Sequence, residues 1–114
     1  MRSDYPDIIG KIVSGTIDRP LGSAHPCYPD MIYLINYGYV DDVYAEDGEK
    51  QDVYLLGIDI PVTEFTGRVI AVYRRIDDVE DKWIVSYDGK DFSDEQILKQ
   101  IHFQEQYFRG EFLR

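Results

Sequence analysis

The sequence predicts a mainly β (α+β) domain, in which several short strands close into a small barrel and one C-terminal helix follows. Three observations carry this expectation. Apolar and aromatic residues fall in short runs separated by Pro, Gly and acidic breaks, the pattern of short strands joined by turns. The period becomes helical only after Ser93. Ten tyrosines in 114 residues suit strands or a polar pocket, because tyrosine packs an apolar ring while offering a hydroxyl.

The elements follow in order. Ile8 to Ile17 reads as a strand, ended by Asp18-Arg19-Pro20-Leu21-Gly22-Ser23. His25 to Asp30 holds two prolines and reads as a loop. Met31 to Val40, rich in Tyr and Ile, reads as a strand bent near Asn36-Tyr37-Gly38. An acidic loop precedes Asp52 to Ile58, a strand apolar on both faces and hence expected to be central and buried. Arg68 to Arg75 is the next strand, followed by the acidic run Asp77-Asp78-Val79-Glu80-Asp81 and a short strand from Trp83 to Tyr87. Ser93 with Gln96 three residues on forms a capping-box pattern that starts a helix. Ile97, Ile101 and Phe108 share one helical face with Leu98 at its border, and Gly110 is the expected C-terminal cap. One domain spans 1–114; the length supports one core but not two.

Composition excludes several function classes. Twelve Lys and Arg against 22 Asp and Glu give a formal net charge of −10. Such a field repels nucleic acid and anionic membranes and attracts divalent cations. The single cysteine, Cys27, forms no intrachain disulfide and reads as a buried or incidental thiol. No apolar run approaches the roughly 20 residues of a membrane span, and Met1 to Pro6 lacks the apolar stretch of a signal peptide. A cytoplasmic protein is the expectation. Two histidines, His25 and His102, are too few for a His-rich zinc site, and neither a nucleophile elbow nor a Gly-rich phosphate loop occurs.

The acidic loops carry the candidate chemistry. One supplies Asp47, Glu49 and Asp52; the other supplies Asp77, Asp78, Glu80 and Asp81. Mg²⁺ takes oxygen ligands, commonly one or two carboxylates with waters and substrate phosphates. Asp47 and Glu49 are two apart, a spacing that would turn both one way in an extended loop, with Asp52 at the strand start in reach of the same point. From spacing alone, a cation site and a solvated acidic surface both remain open. Arg19, Arg68, Arg74, Arg75, Lys82 and Arg109 suit either phosphate neutralisation or surface ion pairs. Tyr33, Tyr37 and Tyr107 suit either phosphate hydrogen bonds or core packing.

The order of these elements resembles the soluble (family I) inorganic pyrophosphatases. Tyr33-Leu34-Ile35-Asn36-Tyr37-Gly38-Tyr39 resembles that family's Tyr-Pro-x-x-Tyr-Gly-Phe/Tyr segment. Asp47-Gly48-Glu49-Lys50-Gln51-Asp52-Val53 resembles its Asp-x-Asp-Pro-x-Asp-Val signature. Arg68 to Tyr73 resembles its Arg-Pro-Ile-Gly-Val-Leu strand, and Asp77-Asp78, Asp81 and Lys82 resemble its next acidic run with shortened spacing. His102-Phe103 and Tyr107-Phe108-Arg109 look like the end of its helix.

The resemblance implies a five-stranded, OB-like barrel, Mg²⁺ ions (Mn²⁺ as substitute) and hydrolysis of pyrophosphate to two phosphates. It implies Asp47, Asp52, Asp77 and Asp81 as metal ligands and Asp52, Glu49 and Tyr37 as catalytic residues. Arg19, Lys82, Tyr107 and Arg109 are the implied phosphate-binding residues, and a homo-oligomer is the implied assembly. Glu49 and Lys50 depart from the signature, Phe108 stands where the family has a phosphate-binding Lys, and the N-terminal hairpin is shortened, with Arg19 and His25 as candidates for its lost cations. Two other readings stand beside hydrolysis: a non-catalytic, metal-dependent binder of a phosphorylated small molecule or nucleotide, and an interaction domain with solvated acidic loops.

Overall fold

Residues 7–44, 48–76 and 81–114 are described by the computed structural model. The elements run β1 (Ile12–Arg19), β2 (Asn36–Tyr44), β3 (Lys50–Leu56), β4 (Glu64–Arg75), β5 (Asp81–Ser86), α1 (Asp94–Glu105) and β6 (Gly110–Leu113). The strand order is β1-β2-β3-β5-β4, and β1 also pairs with β4, so five strands close on themselves. All pairings are antiparallel except β3 with β5, which run parallel with Val53 opposite Trp83. This is a five-stranded, OB-like barrel, as the motifs implied. Closure gives each of the five strands a partner on both sides, which removes the usual edge hazard.

A closed wall has an inside and an outside, and alternation along the strands sorts residues between them. Ile17, Val40, Val53, Leu55, Phe65, Val69 and Val85 form one buried cluster. Tyr37, Tyr54, Leu56, Ile84 and Tyr73 form another, together with Ile97 and Ile101 of α1. A helix cannot enter so narrow a barrel, so its cluster is the outer face and the aliphatic cluster is the interior. β3 is buried on both faces, with Val53, Tyr54, Leu55 and Leu56 all at 0% exposure, as its doubly apolar pattern predicts. A bulge in β4 between Val69 and Ala71 resets the alternation, so that Ile70 and Ala71 both join the outer cluster.

The helix starts where expected. Ser93 accepts the Gln96 backbone N–H at 3.1 Å, and Gln96 accepts the Ser93 N–H at 2.9 Å. Its end differs from the sequence reading. The helix stops at Glu105, Phe108 lies beyond it, and Gly110 opens β6. Strand pairing of Gly110–Leu113 with β4 wins over helix extension, seating Phe112 against Tyr73 with ring centroids 4.9 Å apart. A Cβ on Gly110 would meet the Tyr73 ring at 2.4 Å, so close packing, not a cap, requires this glycine. Leu98 is 41% exposed and contributes little to the packed face.

The Met31 to Val40 expectation is corrected as well. Regular strand begins only at Asn36. Before it, the chain doubles back as a narrow strap: Gly22 N–H donates to Tyr33 O, Tyr33 N–H to Ser23 O, and His25 N–H to Met31 O. Buried Asn36 fastens the strap's root, its Oδ1 accepting from Leu21 N–H at 2.9 Å and its Nδ2 donating to Ile60 O at 2.9 Å. Gly38 is required by the tight β1–β2 approach, since a Cβ there would lie 2.0 Å from Thr16 O.

Candidate active site

Between the strap, the outer wall of the barrel and the end of α1 lies an open cleft of about 1110 Å³. Strands β1, β2, β3 and β5 each bring polar side chains to it: Asp18 and Arg19, Tyr37, Asp52, and Lys82. Asp18 and Arg19 are consecutive, and plain alternation would send them to opposite faces. A register shift in the β1–β2 pairing between Ile17 and Arg19 lets both line the cleft.

The centre of this group is a triad of contacts. Lys82 Nζ donates to Asp52 Oδ2 at 2.6 Å and to the Tyr37 hydroxyl at 2.8 Å. The Lys82 side chain is 3% exposed and the Asp52 side chain 34%, so a buried cation props up a carboxylate that still meets solvent. Burial works against the Lys82 charge, but Tyr37 and Asp52 outweigh it and hold the ammonium above the ordinary lysine range. Burial likewise pushes the Tyr37 phenol well up, so it stays protonated. Asp18 is raised too, first by the crowded cleft wall and also by Asp52, with Arg19 opposing. Its side chain remains open to solvent, which keeps that effect modest.

Arg19 is oriented by a chain of hydrogen bonds running back under the helix. Its Nη1 donates to the Tyr33 hydroxyl at 2.6 Å, and Tyr33 donates to Gln104 Oε1 at 2.6 Å. Gln104 Nε2 donates to the Tyr54 hydroxyl, which donates to Glu105 Oε2, each at 2.5 Å. Glu105 then takes a fork from Arg75, both bonds 2.8 Å. The Arg75 guanidinium is covered by the Phe108 ring, 3.6 Å from its centroid. The His25 imidazole accepts the Cys27 N–H on Nδ1 at 3.0 Å, and desolvation, then Arg19, hold it below the usual histidine value. Cys27 itself is a free, exposed thiol on the cleft wall.

Of the residues singled out from sequence, Arg19, His25, Tyr37, Asp52, Arg75, Lys82 and Tyr107 line this cleft. Asp47 and Asp77 lie outside the described residues. Glu49 is exposed just before β3 and does not line the cleft. The Asp81 carboxylate sits 3.8 Å from Arg74 Nε, because Lys82 takes the cleft side of β5 and alternation turns Asp81 away. Arg109 is exposed and outside the cleft, its carbonyl accepting the Ile76 N–H at 2.7 Å. Among the described residues no three His, Cys, Asp or Glu side chains gather. The strands following both acidic runs nevertheless begin side by side, since β3 and β5 are parallel neighbours. Sequence reading missed Asp18, Tyr54, Gln104 and Glu105. The bulge hid the first, and the others declare themselves only when the helix docks.

Fold and site together define a small closed barrel with a cleft on its outer wall that carries both cations and carboxylates. The family model for inorganic pyrophosphatase matches residues 17–109. The chain therefore belongs to the inorganic pyrophosphatase family and is an inorganic-diphosphatase-like hydrolase. Inorganic pyrophosphatase from Ehrlichia chaffeensis superposes with a TM-score of 0.67 at 18% identity, covering 96% of this chain and 88% of that one. The Helicobacter pylori enzyme gives 0.63 at 19% identity, covering 95% and 86%. That from Neisseria gonorrhoeae gives 0.60 at 25% identity, covering 85% and 73%. No curated protein matches the chain.

Proposed function

We propose that this protein hydrolyses inorganic pyrophosphate to two phosphates in a Mg²⁺-dependent reaction, with Mn²⁺ able to substitute. The single observation that supports the reading best is the Asp52–Lys82–Tyr37 cluster in an open cleft, with Arg19 close by. Hard carboxylate oxygens suit Mg²⁺: Asp52, with Asp47 and Asp77 from the two acidic loops, would hold it, and Asp18 stands next to Asp52 in the cleft. When bound, the metal supplies charge neutralisation and an acidified water. The chain's own groups do the rest. Lys82 keeps its charge at neutral pH and orients the Asp52 carboxylate. Arg19, held by Tyr33, offers its remaining donors to outer phosphate oxygens. Tyr37, protonated and fixed by Lys82, offers a neutral hydrogen bond, and Tyr107 closes the rim. Glu49 lies outside the cleft lining, and the motif alone supports a role for it in orienting water. We place the enzyme in the cytoplasm as a homo-oligomer, on family grounds.

Phosphate release and thermal stability with and without Mg²⁺ test the proposal together. Metal-dependent release and a Mg²⁺-dependent rise in Tm are expected, since a ligand of the folded state stabilises by mass action. Neither effect appearing would sink it. A second reading, a metal-dependent binder of a phosphorylated small molecule without turnover, draws support from Phe108 capping Arg75 and from Arg109 lying outside the cleft. Binding of pyrophosphate in calorimetry without phosphate release would favour it.

A further inference from the structure

We infer that the cleft also takes a nucleoside 5′-diphosphate, with its base lying on the aromatic wall formed by His25 and Tyr28. This rests on the proposed phosphate-hydrolysing role of the same cleft.

Size is the first reason. The cleft, at about 1110 Å³, is slightly larger than the sites that take drug-sized organic ligands, roughly 300–1,000 Å³, so it has room for a nucleoside beside a diphosphate and its metal. The second is its chemical asymmetry. Asp18, Arg19, Asp52 and Lys82 gather on the barrel wall, whereas the strap presents Tyr28, Pro29, Met31 and Ile32. Tyr28 is 66% exposed and Ile32 43%. A bare inorganic anion gains nothing from such a surface, but a flat heteroaromatic ring does.

Continuity is the third reason. The Arg19 guanidinium lies 5.7 Å from the Tyr33 ring centroid. The His25 ring stacks on the same Tyr33 at 6.2 Å and 11°, and Tyr28 follows at 5.1 Å from His25. One aromatic ring therefore separates the phosphate-facing cation from the open wall, a span suited to a ribose. With Nδ1 of His25 engaged by Cys27 N–H, Nε2 is the atom left to meet a base or a sugar hydroxyl.

The reaction balances with water alone. The water oxygen bonds to the terminal phosphorus and the bond from that phosphorus to the bridging oxygen breaks. The bridging oxygen leaves on the nucleoside monophosphate, and a proton passes to solvent. The products are one nucleoside monophosphate and one phosphate.

The test compares kcat/KM for ADP and for methyl diphosphate, with Mg²⁺, in wild type and Tyr28→Ala. Tyr28 is too exposed for its loss to threaten folding. ADP is expected to be favoured roughly tenfold, and Tyr28→Ala should erase most of that advantage while leaving pyrophosphate turnover unchanged. Equal values for the two esters in wild type overturn the inference, as does a change of oligomeric state in Tyr28→Ala, which would make the wall a subunit contact. If pyrophosphate itself is not hydrolysed, the proposed function fails separately. Calorimetric affinity for ADP against methyl diphosphate then decides the inference by the same comparison.

Discussion

Val53 and Tyr54 are neighbours on one strand, and both are fully buried, yet they enter different chemistries. Val53 joins an interior cluster of aliphatic residues and Phe65. Tyr54 joins an outer layer containing Tyr33, Tyr37 and Tyr73. Three of those hydroxyls, those of Tyr33, Tyr37 and Tyr54, bond Gln104, Lys82, Glu105 and Arg19. The interior can only hold a shape, because transfer of apolar surface is non-directional. The outer layer packs as well, but its hydroxyls also fix where charges stand. That difference explains how a barrel of this size positions a site: the same strands that close the interior deliver the cleft residues one position out of phase.

Substitutions in the two regions should separate these roles. The largest effect is expected for Glu105→Ala. It removes the buried Glu105 carboxylate that forks onto Arg75, itself 5% exposed, and truncating one side of a buried pair costs about 3–5 kcal/mol. Urea unfolding measures this; a loss near that of a surface ion pair would break the claim that this network anchors the helix. Next comes Leu55→Ala in the interior, expected to cost about 3 kcal/mol. Well below its Tm this variant should keep the wild-type KM for pyrophosphate, and a raised KM would show that the interior tunes the site. Tyr37→Phe is a smaller change, about 2 kcal/mol for a hydrogen bond to the buried Lys82 ammonium. Here kcat should fall although the fold persists; unchanged kcat would remove Tyr37 from the chemistry.

The smallest effect is in pH dependence. Lys82 is held above 10.5, the ordinary lysine value, in the folded chain. A raised folded pKa means its contribution is complete below the unfolded value and lost only as pH climbs through the folded one. The stability difference between wild type and Lys82→Met should thus stay flat up to about pH 10 and move against wild type only above that. A drift beginning near neutral pH would contradict the Asp52–Lys82 pairing.

The barrel was legible where alternation is uninterrupted. The doubly apolar run at Val53 to Leu56 announces a central strand, and Ser93 with Gln96 announces the helix start. Legibility fails where register or long-range pairing intervenes. The bulge before Arg19 and the strap at residues 22–33 have no local signature beyond Pro and Gly. Gly110 reads as a helix cap until β4 is available to pair with it. In the site, Asp52, Lys82, Tyr37 and Arg19 were visible through motif order. Glu105 and Gln104 were not, because a helix shows which of its polar residues are buried only once its docking face is known.

The most direct test is phosphate release from pyrophosphate with Mg²⁺ by folded Asp52→Asn, measured beside wild type. Asn matches Asp in shape and its Oδ1 can still accept from Lys82 Nζ, so the substitution should leave the fold intact. Turnover is expected to fall by at least about 100-fold, the scale seen when a positioned electrostatic group is lost. Wild-type turnover by Asp52→Asn, with unchanged dependence on Mg²⁺, would contradict it.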